Sequence, residues 1–366
     1  SFCILVASAL SLEAKVFTDT IHEECIEEYK NKYPGSSDKQ LSLKCMNDRV
    51  SFEMRKIEKS TFEVKISVGT GEQTGHGSGL LFKDKGQWYI LTNNHVVESN
   101  STSVWVKFYQ KGAYYRVSVI GRDPILDIAL LQAPMPLPIG VTSAVLGKSG
   151  KLEVGDRVYA LGHPLGHRSV TIGFVSSRGS IFSPYADSTQ VPMLPGNSGG
   201  GLFKFVDGVP HVVGLNTAIL RQGLLSFSIG IDYVKKVLPR LKRENIVRHA
   251  AIGLKLSDIE ELSPSVFESI SGMNYSERRK HCQGIFVEKV LARSPGNISG
   301  IMPGDCIKSV SFEGVNIQLQ SARHFADMIF FNFRPGQLLT LKTLRGRQLI
   351  ERAVKLVERQ ALTKEK

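Results

Sequence analysis

The chain has 366 residues, which is too long for one ordinary hydrophobic core, so two or three domains are expected. Its composition, with 42% hydrophobic and 22% charged residues and 34 glycines, is typical of a soluble globular protein rich in turns. The net charge of +12 is spread over both halves without a nucleic-acid-binding motif, which argues against nucleic acid as a partner. A basic solvated surface with some attraction to anionic membranes or substrates is expected instead.

The first ten residues, SFCILVASAL, resemble the apolar core of a secretory signal peptide that lacks its initiator Met and basic region. The segment is too short to span a bilayer, and a first β-strand is the alternative interpretation. We interpret residues 1–14 as a truncated signal peptide, which predicts an exported protein, in the periplasm or otherwise in a secreted, oxidising compartment.

Residues 15–50 are charged and helix-like, with two short helical pieces around a Pro-Gly-Ser-Ser turn. Cys25 and Cys45 flank these pieces, and we predict a disulfide between them. Cys282 and Cys306 lie close to separate strands, where a second disulfide and two buried apolar thiols are both open alternatives.

Residues 51–240 contain many short apolar runs with turn signals at intervals of about 8 to 12 residues, which indicates a β-barrel or β-sandwich. The segment DYVKKVLPRLKREN (232–245) has helical spacing and ends this region. We expect a linker at 241–247 and a mixed α/β unit at 248–359, followed by a short tail at 360–366.

The stretch PGNSGGG surrounds Ser198 with glycines. A solvated turn would use such a run, but so would a nucleophilic serine, because backbone N–H groups near it must point at an oxyanion. A serine nucleophile needs a base and an orienting carboxylate. His95 follows the β-type run YILTNN, and Asp127 is a charge inside the apolar run ILDIALLQ, where a carboxylate requires a hydrogen-bonding partner. Asp123 precedes a proline and is interpreted as a turn residue.

Two other kinds of site are rejected. The G-x-S-x-G elbow of α/β-hydrolases requires a helix after the serine and the chain order serine, acid, histidine. Glycines and a strand-like LFKF follow Ser198 instead, and the convincing Asp and His both precede it. His163 and His167 have an H-x₃-H spacing, but the intervening Pro and Gly prevent a helix that would bring both rings onto one metal ion. We expect no metal and no cofactor.

The order His95, Asp127, Ser198 is that of chymotrypsin-type double barrels. Seven collinear segments then carry a more specific resemblance: GHGSGLLF (75–82), YILTNNHVV (89–97), DPILDIALL (123–131), KLEVGDRVYALGHPLG (151–166), VTIGFVSSRGS (170–180), PGNSGGGLF (195–203) and VVGLNTAI (212–219). They resemble the HtrA/DegP family of serine proteases, in which a trypsin-like domain is followed by PDZ domains.

The resemblance implies a mainly β fold, with two six-stranded barrels of chymotrypsin type followed by one small α/β PDZ domain. It implies Ser198 as nucleophile, His95 as general base and acid, and Asp127 as the residue that orients His95. The backbone N–H groups of Gly196 and Ser198 would form the oxyanion hole.

The chain departs from the family pattern at residues 190–194, which read Gln-Val-Pro-Met-Leu, and at Gly230. These segments resemble the loops that shape the primary specificity pocket and switch the family between inactive and active forms. The pocket is expected to accept an aliphatic P1 side chain. The residues expected to line it are Met193, Leu194, Ile219 and Ile229.

Residues 284–315 closely resemble the centre of a PDZ domain of HtrA type. By that resemblance Ile252, Gly253 and Leu254 belong to a loop that binds a peptide carboxylate, and residues 321–331 form the helix beside the groove. A closed α/β module used for packing or assembly is the alternative.

These observations predict an exported serine endopeptidase that degrades unfolded or damaged proteins, with C-terminal peptides at the PDZ groove tuning its activity. The resemblance implies a homotrimer or a higher oligomer, and the basic surface is compatible with peripheral membrane association. The alternative is a peptide-binding chaperone whose protease domain rests in an inactive form.

Overall fold

The computed structural model describes residues 20–58, 63–70, 73–98, 103–108, 113–180, 183–219, 225–277, 282 and 284–362. The predicted signal segment, residues 1–14, lies outside them. The chain divides into two compact units, Ser1–Val247 and Arg248–Lys366. No helix within the described ranges is long and apolar enough to cross a membrane.

The described part of the first unit begins with three helices, α1 (Thr20–Lys32), α2 (Asp38–Asn47) and α3 (Arg49–Glu58). A disulfide joins Cys25 to Cys45, as the sequence predicts, and both cysteines lie in a small apolar core that also packs against Phe205. The helices extend to residue 58, whereas the sequence pattern predicts a β region from residue 51. Val50, Phe52 and Met54 alternate as in a strand, but Glu53 and Ile57 are buried together at the helical i, i+4 spacing.

A first β-barrel follows the helices. Its strands are β1 (Glu63–Thr70), β2 (Gln73–Asp84), β3 (Gln87–Thr92), β4 (Ser103–Phe108), β5 (Tyr115–Val117), β6 (Val119–Asp123) and β7 (Ile128–Gln132). They are ordered β5-β4-β1-β2-β3-β7-β6. Only Ser118 separates β5 from β6, so together they form one bent strand that pairs with β4 at one end and with β7 at the other. Counted in this way, the barrel has six strands and is closed.

A second barrel completes the β region. Its strands are β8 (Val145–Leu146), β9 (Arg157–Gly162), β10 (Ser169–Ser177), β11 (Ala186–Thr189), β12 (Gly201–Val206), β13 (Val209–Ile219) and β14 (Ser226–Gly230). The pairing of β12 with both β9 and β13 closes a ring of six strands, and the short β8 adds to β13 from outside. The architecture is the chymotrypsin-like pair of six-stranded barrels predicted from the sequence.

Two helices accompany the barrels: α4 (Asn94–Val97) directly after β3, and α5 (Ile231–Leu241) after β14. The predicted apolar face of α5 is buried, and the residues after it, expected as a linker, lie against the first barrel. Arg122 donates from its N–H to the Asn245 carbonyl at 3.0 Å, and its own carbonyl accepts from the Val247 N–H at 2.8 Å.

The second unit is a small α/β structure. Its strands are β15 (Ala250–Ala251), β16 (Leu254–Asp258), β17 (Ile285–Val290), β18 (Cys306–Phe312), β19 (Val315–Ile317), β20 (Leu338–Arg345), β21 (Gln348–Lys355) and β22 (Val357–Glu358). The α-helices in its described residues are α6 (Pro264–Ser271), α7 (Pro295–Ile298) and α8 (Ala322–Asn332). The main sheet has the order β16-β17-β18-β20-β21, with β19 beside β18 and a separate β15–β22 pair. A second disulfide joins Cys282 to Cys306, which decides between the two alternatives for these cysteines.

Candidate active site

His95 lies in the single turn of α4, at the point where β3 leaves the first barrel. Asn93, fully buried at the start of this turn, donates from its side-chain amide to the Asp127 carbonyl at 2.8 Å. This bond joins the segment that carries the imidazole to the segment that carries the carboxylate. The His95 side chain is about half exposed, with a relative accessibility of 46%, so a substrate can reach it.

Asp127 precedes β7 and has a left-handed backbone conformation, with φ 55°. One carboxylate oxygen accepts from the His95 backbone N–H at 2.9 Å, and the other is 2.7 Å from His95 Nδ1. The second oxygen also accepts from the Thr217 hydroxyl at 2.5 Å. The three contacts fix the carboxylate and hold the imidazole with its Nδ1–H toward Asp127, which leaves Nε2 as the outward-facing nitrogen.

The pKa of His95 is raised above its ordinary value of 6.5, chiefly because Asp127 accepts a hydrogen bond from the ring. Partial burial of the imidazole acts in the opposite direction, and the negative charges of Asp127 and Glu98 add to the increase. A base that binds a proton more strongly than free histidine suits proton abstraction near neutral pH.

Ser198 lies in a tight turn, residues 195–200, that leads directly into β12. Gly196 has φ +104°, and a Cβ on it would lie 2.3 Å from the His163 carbonyl oxygen, so a larger residue would be strained and crowded there. This requirement accounts for at least one of the glycines around Ser198.

The carbonyl groups that precede Gly196 and Ser198 are both engaged elsewhere. The Pro195 carbonyl accepts from the Leu165 N–H at 3.2 Å, and the Asn197 carbonyl accepts from the Gly200 N–H at 3.0 Å. In a trans peptide the N–H points away from the carbonyl of the same plane. The N–H groups of Gly196 and Ser198 therefore point away from these partners, and neither donates a hydrogen bond within the described part of the chain. They are available to an oxyanion.

The Ser198 hydroxyl donates to the Thr217 carbonyl at 3.3 Å. No hydrogen bond joins it to His95 among the residues that the structure describes. Ser198 and His95, the predicted nucleophile and base, are thus not hydrogen-bonded to each other, and rotation about the Ser198 Cα–Cβ bond is the movement that would direct the hydroxyl elsewhere.

Two further residues hold the site together and were not singled out from the sequence. Thr217 contacts both Asp127 and Ser198, and Ser78 on β2 contacts the turn around Ser198. The fully buried Ser78 donates from Oγ to the Gly196 carbonyl and from its N–H to the Ser198 carbonyl, both at 2.8 Å. Both residues lie within motifs quoted above, GHGSGLLF and VVGLNTAI, but nothing in those letters indicates their contacts.

The residues expected to line the specificity pocket have different environments. Met193 is buried among apolar side chains of the second barrel, and Ile229 is buried on β14. Leu194 is exposed, with 55% relative accessibility. The side chain of Ile219 lies outside the described residues.

Comparison with known proteins agrees with this geometry. Residues 77–215 match the family model of the trypsin-like peptidase domain. The chain is 33% identical over 299 residues to a probable periplasmic serine endoprotease DegP-like from Hahella chejuensis, an alignment that covers 79% of this chain and 58% of that protein. It is 29% identical over 307 residues to the serine protease Do-like HtrA of Bacillus subtilis, with 80% and 65% covered. The solved structure of the HtrA-type protease AlgW with a tripeptide has a TM-score of 0.63 at 26% identity, covering 83% of this chain and 96% of that one.

The chain contains a trypsin-like peptidase domain and is homologous to HtrA/DegP serine proteases. The chain spans 65% and 58% of the length of the Bacillus subtilis and Hahella chejuensis relatives, respectively.

The second unit contains an open groove between β16 and α8, with a volume of about 470 Å³. In the loop that enters β16, the Ile252 carbonyl accepts from the Gly296 N–H and the Gly253 carbonyl from the Leu291 N–H, both at 2.9 Å. The N–H groups of Gly253 and Leu254 consequently point away from these partners. Gly253 has φ +76°, and a Cβ on it would lie 2.2 Å from the Ser294 Cβ, so glycine is required in this loop.

Proposed function

We propose that this protein is a serine endopeptidase that degrades unfolded or damaged proteins, with Ser198 as nucleophile, His95 as general base and acid, and Asp127 as the orienting carboxylate. The single observation that carries the proposal is the contact of His95 with Asp127 at 2.7 Å, next to a serine whose turn leaves two N–H groups available.

In the proposed mechanism, the Ser198 hydroxyl rotates toward His95 Nε2 and attacks the substrate carbonyl carbon as His95 takes its proton. The negative charge that develops on the carbonyl oxygen is stabilised by the N–H groups of Gly196 and Ser198, each worth about 10²–10³ in rate. His95 then gives the proton to the leaving amine, and water hydrolyses the acyl-enzyme by the same route. Asp127 holds the ring in the required tautomer throughout.

A second candidate function is that of a peptide-binding chaperone whose protease unit rests in an inactive form. The hydrogen bond from Ser198 Oγ to the Thr217 carbonyl favours it, because this hydroxyl is not directed at the base. The two candidates differ in whether the hydroxyl turns toward His95 when a substrate or a peptide binds.

The proposed compartment is an exported, oxidising one, most specifically the periplasm. The two disulfides support export, since such bonds persist mainly in oxidising environments. The relative from Hahella chejuensis is named as periplasmic. A homotrimer or a higher oligomer is proposed from the family, and sedimentation of the purified protein tests it.

We propose that the groove of the second unit binds an extended C-terminal peptide whose carboxylate meets the N–H groups of the loop at Ile252, Gly253 and Leu254. The peptide would add as a strand to β16, which has a free edge in the sheet order. This binding is proposed to tune the activity of the protease unit.

The test of the endopeptidase function is Ser198→Ala. Cleavage of unfolded casein and labelling by a fluorophosphonate should both fall to background, because loss of one triad member removes nearly all of the triad's contribution. The fold and the oligomer should be unchanged, as circular dichroism and sedimentation would show.

Ser118→Ala is the matched control, since Ser118 is an exposed serine between β5 and β6. It should cleave casein at the parent rate. An alanine variant at position 198 that kept even a tenth of the parent rate would overturn the assignment. A parent protein that resists labelling, alone and with added peptides, would support the chaperone instead.

A further inference from the structure

The groove of the second unit is lined on its open side by positive charge. Of the side chains around it, Lys255, Lys289 and Arg359 are cationic, and no carboxylate lies among the described residues that line the groove. Its deeper walls are apolar, with Phe325 and Ile329 of α8 among them. The groove therefore offers an apolar pocket and a basic margin to the same ligand.

Side chains of β16 alternate between two faces, and this alternation separates the apolar pocket from the basic margin. Leu254 and Leu256 pack against the apolar core of the unit, whereas Lys255 between them points to the opposite face and is 67% exposed. In an extended strand successive side chains point to opposite faces, so any peptide paired with β16 presents every second residue to the lysine face.

Lys289 on β17 lies directly opposite Lys255 in the strand register. Like charges at opposed positions destabilise a pair of strands. A bulge after Lys255 places Glu288 beside them, but this carboxylate is already bound by the Lys255 ammonium at 2.7 Å and by the Ser257 hydroxyl. Lys289 is exposed and makes no ion pair within the described part of the chain. An additional negative charge on this face, supplied by a ligand, would pair with the Lys289 ammonium.

Resting on the proposed peptide-binding function, we propose that the groove selects C-terminal peptides with an acidic residue at the penultimate or the fourth-from-last position. With the carboxylate at the N–H groups of Gly253 and Leu254, the last residue lies beside Leu254 and points into the apolar groove. The penultimate side chain then points to the face of Lys255 and Lys289. Two residues further along, the alternation returns the fourth-from-last side chain to the same face.

The proposal is tested by fluorescence anisotropy with labelled decapeptides on the full chain carrying Ser198→Ala, so that the peptides are not cleaved. All peptides end in the same apolar residue with a free carboxylate and carry Glu, Gln or Lys at the penultimate or the fourth-from-last position. At low salt, about 0.05 M, the affinity should fall from Glu to Gln to Lys, by about three- to fivefold per step. At about 0.5 M salt the differences should largely disappear.

Lys289→Glu should reverse the order, so that the Lys peptide binds most tightly, and Lys289→Gln should abolish the preference. Lys355→Glu is the matched control, because Lys355 is an exposed lysine on β21 at the far edge of the sheet, and it should keep the parent order. Circular dichroism of each variant checks that the unit is folded.

Equal affinity for the Glu, Gln and Lys peptides would overturn the selectivity and leave the peptide-binding function standing. If no peptide binds, or if amidated and free peptides bind equally, carboxylate capture is wrong and the selectivity is wrong with it. An acidic preference that survives in Lys289→Glu would also contradict the proposal.

Discussion

Asp127 has a left-handed backbone, and its carboxylate accepts three hydrogen bonds, two from His95 and one from Thr217. The Asp127 carboxylate contacts both the backbone N–H and the ring Nδ1 of His95, so it fixes the backbone and the ring of this residue together. This double contact orients the imidazole more narrowly than a single hydrogen bond could. The proposed chemistry should therefore depend on Asp127 through the protonation of His95.

We expect the acid limb of the pH–rate profile to lie above pH 6.5, because the pKa of His95 is raised by its hydrogen bond to Asp127. The rate is lost as the pH falls through this pKa, since only the neutral ring accepts the serine proton. Asp127→Asn removes the negative charge, so the limb should shift to lower pH and the rate should fall about 10⁴-fold. The pH dependence of fluorophosphonate labelling measures both effects.

Asp207→Asn, at an exposed turn between β12 and β13, is the control and should keep the parent profile. An acid limb that stays at the same pH in Asp127→Asn would show that the carboxylate does not set the protonation of His95.

The role of Ser78 could not be predicted from the sequence. The chain separation between Ser78 and Gly196 is 118 residues, and the role of Ser78 exists only through the carbonyl groups that the fold brings to it. His95, Asp127 and Ser198 could be proposed from the sequence because each stands in its own motif. The direction of the Ser198 hydroxyl could not, because a side-chain rotamer leaves no pattern in the letters.

Among the secondary-structure elements, α5 and the disulfide-linked helices α1 and α2 could be predicted because local spacing and turn chemistry determine them. The helix α3 was missed, since its apolar residues alternate as in a strand. Its conformation depends on burial against the second barrel, where Glu53 accepts a hydrogen bond from the Tyr159 hydroxyl. Burial, and next this contact, raise the pKa of Tyr159, so the phenol keeps its donating proton to a higher pH than an ordinary tyrosine does.

Glu53 should accordingly anchor the helical extension to the barrel. Its side chain is buried and also accepts from the Arg49 side chain at 3.0 Å. Glu53→Ala leaves the Tyr159 hydroxyl and Arg49 without this acceptor and should lower the free energy of unfolding by about 2 kcal/mol. Urea unfolding followed by circular dichroism measures the change.

Limited proteolysis should also release the helical extension from the barrels sooner in this variant. Glu27→Ala, at an exposed position of α1, is the matched control and should unfold at the parent midpoint. Identical midpoints for the two variants would show that Glu53 does not anchor the extension.

At the scale of the whole molecule, the candidate catalytic groups lie in one compact unit and the free sheet edge in the other. A peptide on the second unit can change the first only by binding one of its states more tightly than the other. The Ser198 hydroxyl would supply two such states, the observed one on the Thr217 carbonyl and the proposed one directed at His95. Couplings between sites are typically about 1–3 kcal/mol, or about 5- to 150-fold in an equilibrium constant.

Apolar C-terminal peptides should therefore raise the rate of casein cleavage by a factor in this range, and amidation of their C terminus should remove the effect. Gly253→Val should blunt the response without changing the basal rate, because its side chain would collide with Ser294 and distort the loop that offers its N–H groups. Gly253→Ala, with a smaller side chain, should lie between the valine variant and the parent.

Gly314→Val is the control for backbone strain alone. Gly314 also has a positive φ, +80°, but nothing lies within 4 Å of the Cβ position, and it belongs to the turn between β18 and β19. If both valine variants lost the response, general damage to the unit would explain the result. If free and amidated peptides activated equally, carboxylate capture would be wrong, and the second unit would be left with a role in packing or assembly.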